Sequence, residues 1–103
     1  MIIVTGDLIA ETAVFEELRR LSLEHVHRSR AEPGCLHHSV QVDCENPSRL
    51  VFFEIWADAA ALKQHFNVPA SREFSQAAAK LASAPPTLQI YEASETSARA
   101  ILA

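Results

Sequence analysis

The sequence predicts an α+β domain, an antiparallel sheet with helices on one face, in the order β-α-β-β-α-β of a ferredoxin-like split βαβ unit. Three observations carry that expectation. An amphipathic helical stripe separates a short β-branched run from an alternating one. Two strand-like runs are joined by four turn-forming residues, too few for a crossover, so they return antiparallel. A last short strand-like run follows a Pro-Pro break.

Residues 2–5 are all β-branched and open the sheet. Gly6-Asp7 interrupts them, and Leu8-Ile9 is expected to continue the strand past a bulge. Glu11-Thr12 leads into a helix with Phe15, Leu18, Ser22 and Val26 on one face and Val14, Leu21 and His25 beside them. Glu16, Glu17, Arg19, Arg20, Glu24 and Arg28 mostly lie opposite, so the helix covers one sheet face. Pro33-Gly34 stops it and turns the chain.

Leu36, His38, Val40 and Val42 alternate with His37, Ser39, Gln41 and Asp43. Glu45-Asn46-Pro47-Ser48 reads as a turn. Residues 49–56 are apolar on both faces, with Leu50, Phe52 and Trp56 on one and Val51, Phe53 and Ile55 on the other. Such a strand needs cover on both sides, and a partner subunit is the economical source of the second cover. The face through Phe52 and Trp56 or their neighbours is the one expected to want a matching sheet.

Asp58 is placed to cap a helix over 59–66, Asn67-Val68-Pro69 breaks it, and 70–82 forms another with Phe74, Ala77, Ala78 and Leu81 as its stripe. Residues 87–93 form the last strand, with Leu88 and Ile90 on one face and Tyr91 on the other. The domain is expected to span 1–93, leaving 94–103 as a weakly helical tail that packs on the partner subunit.

The 103 residues suit one domain. Nine basic against thirteen acidic residues, with no basic block, argue against nucleic acid or an anionic membrane as partner. The N-terminus lacks a signal-peptide pattern and no apolar run approaches a membrane span, so a cytoplasmic protein is expected. Cys35 and Cys44 end one strand, roughly 30 Å apart at about 3.3 Å per residue, and cannot pair with each other there.

The residues that could carry chemistry are few. Two glycines are too few for a phosphate-cradling loop, and no nucleophile motif is present. Among five histidines, His25 and His27 diverge on a helix, while His37 and His38 point to opposite faces of a strand. Neither pair chelates a metal locally, which leaves only a site assembled across the fold, and no metal is expected. His65 sits at the margin of its helix's apolar stripe, either as a proton-transferring base or as a boundary histidine with one wet edge. Glu54 and Trp56 share a strand face; Glu54 there needs a pocket role or a partner such as an Arg across a dimer. His38, on the apolar side of its strand, is a candidate for the same pocket.

Taken together, the opening strand, the Glu32-Pro33-Gly34-Cys35 turn, Phe53-Glu54-Ile55-Trp56, His65 nine positions later, and Ile90-Tyr91-Glu92 resemble the antibiotic biosynthesis monooxygenase, or quinol monooxygenase-like, family. The resemblance covers residues 2–92. It implies two subunits packing their sheets into a dimeric α/β barrel, each with an apolar pocket between sheet and helices. Activities of that family include cofactor-free oxidation of phenols or quinols by O2, isomerisation of a small sugar-derived phosphate, and haem degradation. By resemblance, His65 looks into the pocket as base or proton relay, Glu54 orients it, and Trp56, Phe52 and Phe66 are walls, with His38 standing where a Tyr is common. Residues 67–72 lack the Ser/Thr-Pro-His segment of many members. Residues 70–82 hold no histidine for haem iron, and Thr5, Gly6 and Asp7 replace an Asn used by haem degraders, so haem degradation is disfavoured.

The resulting expectation is a cofactor-independent monooxygenase acting on a small aromatic substrate. The alternatives are an isomerase or dehydratase for a small carbonyl compound using the same base, and a dimeric binding protein without chemistry.

Overall fold

The computed structural model describes all 103 residues, Met1–Ala103. The elements are β1 (Ile2–Ile9), α1 (Thr12–Ser29), β2 (Cys35–Asp43), β3 (Asn46–Trp56), α2 (Ala59–Asn67), α3 (Pro69–Leu81), β4 (Thr87–Glu92) and α4 (Ala98–Leu102). They form one antiparallel sheet in the order β2-β3-β1-β4, the split βαβ arrangement the sequence predicts.

Side-chain parity decides which residues meet the helices. Ile2, Val4 and Leu8 of β1 and Leu50, Phe52, Glu54 and Trp56 of β3 are buried on the helix side. Phe52 and Trp56 are therefore under helices rather than on the open face. That face is formed by their neighbours Val51, Phe53 and Ile55, which are half-buried. The alternation was legible, but both faces of β3 are apolar, so pattern alone did not say which one the helices take.

β1 runs without the expected bulge. Gly6 pairs with Phe52 on one side and Leu88 on the other. The glycine serves a close approach instead, since a Cβ there would lie 2.6 Å from the Thr87 carbonyl oxygen. The turn between β2 and β3 is also tighter than expected, with Asn46 already paired to Asp43. Asp43 Oδ1 accepts from the Glu45 amide at 2.9 Å and Asn46 Oδ1 from the Ser48 amide at 3.0 Å, side-chain bonds that stabilise so short a reversal.

Asp58 caps α2 by accepting from the Ala61 amide at 2.8 Å. Val68 then ends α2 and precedes Pro69, the first residue of α3, where a missing N–H costs nothing. Gly34 has φ 78°, and a Cβ on it would lie 2.5 Å from Ala61 Cβ. A glycine here both makes the turn after α1 and lets α2 pack against it.

Two hydrophobic clusters result. One gathers Leu8, Leu18, Val26, Leu50 and Phe52 beneath α1 and α3, and the other gathers Ile2, Val4, Trp56 and Leu62 beneath α2. Every residue of β4 and α4 is exposed, Ile101 and Leu102 included. No helix is long and apolar enough to cross a membrane. Both cysteines are free thiols.

Candidate active site: a buried histidine cluster beside a cavity

Three histidines from distant segments meet between the two clusters. Period 3.6 turns His25 of α1 inward with Leu18, Ser22 and Val26. His38 pairs across β2 and β3 with Glu54, and the two share the helix-facing side. His65 enters from the last turn of α2. Ring centroids are 5.3 Å apart for His25 and His38, 5.2 Å for His25 and His65, and 5.6 Å for His38 and His65. None of the three is more than 6% exposed.

Each ring has different partners. His65 Nδ1 lies 2.9 Å from Glu32 Oε1. An ionised carboxylate only accepts, so the ring donates from Nδ1 and neutral His65 keeps its lone pair on Nε2. His25 stacks on Phe74 at 4.2 Å and 11°, and its Nδ1 accepts from the Arg28 guanidinium at 3.2 Å. Burial, followed by the charges of His38 and His65, drives the His25 pKa down to about 3, which keeps it neutral. His38 Nε2 stands 3.3 Å from Glu54 Oε1, but neither of its ring nitrogens makes an aligned hydrogen bond.

Glu54 Oε1 accepts from the Trp56 indole N–H at 2.8 Å. Burial acts to raise the Glu54 carboxyl, yet His38 and Trp56 beside it, with the charge of His65, hold it below the ordinary carboxylate range. Glu54 is thus a buried carboxylate tied to Trp56 and His38. It is not the residue that orients His65, and it pairs with no arginine; Glu32 orients His65.

A cavity of about 510 Å³ opens beside this cluster. That lies within the usual range for small-ligand pockets, roughly 300–1,000 Å³. His65, Glu54, Phe52 and Phe66 line it, as the sequence suggests. His38 and Trp56 do not; both are fully buried, and each touches Glu54, which does line it. Six of the 17 lining residues are hydrophobic, and polar side chains stand among them. Four of the polar side chains, Ser71, Arg72, Ser75 and Gln76, arrive on α3, where they recur at helical spacing and face the cavity.

Sequence reasoning missed Glu32, His25 and the polar face of α3. Glu32 belongs to the Glu-Pro-Gly-Cys turn, whose carboxylate was a usable signal read only as turn chemistry. His25 sits on the apolar side of α1, where a buried imidazole already asks for partners.

Comparison with known proteins follows this geometry. A family model described as antibiotic biosynthesis monooxygenase matches residues 1–77. The chain belongs to that family. An uncharacterized protein of Synechocystis sp. is 35% identical over 95 residues, which cover 92% of this chain and 65% of that protein, slightly under two thirds of its length. A candidate antibiotic biosynthesis monooxygenase from Deinococcus radiodurans is 28% identical, with a TM-score of 0.89 over 93% of this chain and 95% of that one. Another crystal structure, of an antibiotic biosynthesis monooxygenase, is 25% identical, with a TM-score of 0.84 over 92% of this chain and 100% of that one. The antibiotic biosynthesis monooxygenase domain here accordingly has its cavity between the sheet and α3, with the histidine cluster along one wall.

Proposed function

We propose that this protein oxidises a small electron-rich phenol or quinol with O2 in the cavity, without a bound cofactor, and that His65 is the base. The observation that carries this reading is the Glu32–His65 pair. It holds a ring that lines the cavity in one tautomer, with Nε2 as the free basic nitrogen. Phe52, Phe66 and Phe74 supply aromatic walls for an aromatic substrate.

In the proposed reaction the base removes an acidic proton, and the electron-rich anion passes one electron to O2. The two radicals join in a C–O bond, and loss of water from the peroxide leaves a carbonyl. One oxygen atom stays in the product, the other leaves as water, and the substrate supplies all the electrons. The protein's tasks are proton transfer and exclusion of bulk water.

A homodimer belongs to the same proposal. Val51, Phe53 and Ile55 form an apolar open sheet face suited to a second copy, and the exposed Ile101 and Leu102 of the tail suit packing on that copy.

The test is oxygen uptake by the metal-stripped protein with hydroquinones and anthrone-like phenols. Loss of a general base costs about 10²–10⁴-fold, so His65→Ala should fall at least that far. Glu32→Gln keeps an acceptor but loses the charge, and a drop of about tenfold is expected, equivalent to about 1.4 kcal/mol. Undiminished turnover by His65→Ala removes the central residue of the proposal. The polar face of α3 favours one other reading, isomerisation or dehydration of a small carbonyl compound by the same base. Product formed without oxygen consumption identifies it.

A further inference from the structure

We propose that His25, His38 and His65 form a binding site for one divalent first-row transition-metal ion, with Glu54 as the adjacent carboxylate. One nitrogen from each ring can be chosen so that all three lie within 4.8 Å of one another. Tetrahedral ligands at Zn–N distances of about 2.0–2.1 Å stand roughly 3.3 Å apart, so the rings draw in on binding, by about 1.5 Å at the widest pair.

The second observation is His38 itself. It is 1% exposed, and neither ring nitrogen makes an aligned hydrogen bond, Nε2 only standing 3.3 Å from Glu54 Oε1. A buried imidazole so poorly satisfied is costly, and an ion in the cluster gives its lone pair a use. Glu32 on His65 Nδ1 is the carboxylate–histidine arrangement that orients a ligating ring and leaves Nε2 for the metal. Three imidazoles with one carboxylate suit Zn, Cu, Fe or Ni rather than Mg or Ca.

Glu32 and Glu54 bring two negative charges to the cluster. Arg28 on His25 Nδ1 opposes an ion, as do Arg30 on the His38 carbonyl and Arg72 on the cavity wall. Arg28 also reaches the Ala70 carbonyl at 3.3 Å, a bond it retains when His25 turns its lone pair to the metal. Since His25, His65 and Glu54 line the cavity, the bound ion faces that space.

A metal here takes the His65 lone pair on which the proposed oxidation depends. The ion is therefore an inhibitor of that oxidation, and this consequence, unlike the binding, rests on the proposed function.

The experiment titrates the full, metal-stripped chain with Zn²⁺ against a chromophoric chelator, and with Co²⁺ by visible absorption. We expect one ion per chain and a Co²⁺ spectrum of low coordination number. His38→Gln, folded by circular dichroism, should weaken Zn²⁺ at least tenfold and abolish the Co²⁺ bands. Should that variant not fold, His25→Gln provides the same comparison. His37→Gln, at an exposed histidine, should bind as the wild type does. Absence of saturable binding overturns the proposal. So does binding lost in His27→Gln or His37→Gln but kept in His38→Gln, the result for an adventitious ion only. Zinc bound at the cluster without loss of oxygen uptake supports the site and removes His65 as base. Oxygen uptake by a protein that binds no zinc overturns the site and leaves the oxidation standing.

Discussion

Acid should destabilise this fold in part through His25. Its pKa falls from an ordinary 6.5 to about 3 in the folded protein, mainly because the ring is buried and then because His38 and His65 flank it. Below pH 6.5 the unfolded chain takes up a proton there that the folded chain refuses until about pH 3. The unfolded state thus binds more protons across that window, and stability rises with pH through it. It is complete above pH 6.5 and is lost progressively as pH falls toward 3. Each pH unit is worth up to about 1.4 kcal/mol, so pH 5 should cost about 2 kcal/mol from this ring alone. That is a large share of a typical total of about 5–15 kcal/mol. Urea unfolding of metal-stripped protein at pH 7, 6, 5 and 4 measures the effect. His25→Gln cannot titrate, so its curve should be flatter than the wild type's by about that 2 kcal/mol between pH 7 and 5. Parallel curves for the two proteins refute the reasoning.

Two further substitutions test the packing around the site. Gly6→Ala places a methyl against the Thr87 carbonyl, so β4 must shift away from β1, and a loss of about 1–3 kcal/mol should appear as a lowered Tm. Trp56→Phe keeps the aromatic bulk but removes the indole donor to Glu54, leaving a buried carboxylate oxygen to His38 alone. Its urea midpoint should fall by the equivalent of about 1–3 kcal/mol, and an unchanged midpoint means that the indole bond adds no stability.

The elements of this domain were legible because they rest on local rules. Alternation in residues 36–42 marked a strand, Asp58 marked a helix start, and Asn67-Val68-Pro69 marked the break between two helices. The site was legible only in part, because its pairings are not local. His65 and Glu32 are 33 residues apart, and no pattern in either segment announces the other. By resemblance Glu54 was expected to orient His65, but the indole two residues on and the imidazole across the register claim it. The histidine pairs 25/27 and 37/38 were rightly read as divergent; that divergence sends one member of each pair inward, and the fold brings those two together with His65.

β4 has a consequence for how the cavity behaves over time. It is bonded along one edge to β1, its other edge is free, and all six of its residues are exposed. Leu88 and Thr87 nevertheless form part of the cavity wall. The wall is therefore drawn from the least protected strand of the sheet, where local opening takes the least free energy. Amide hydrogens of β4 should exchange well before those of β3, which has neighbours on both edges. A small molecule seated against Leu88 would register there first, as slowed exchange in a strand that never touches the histidines.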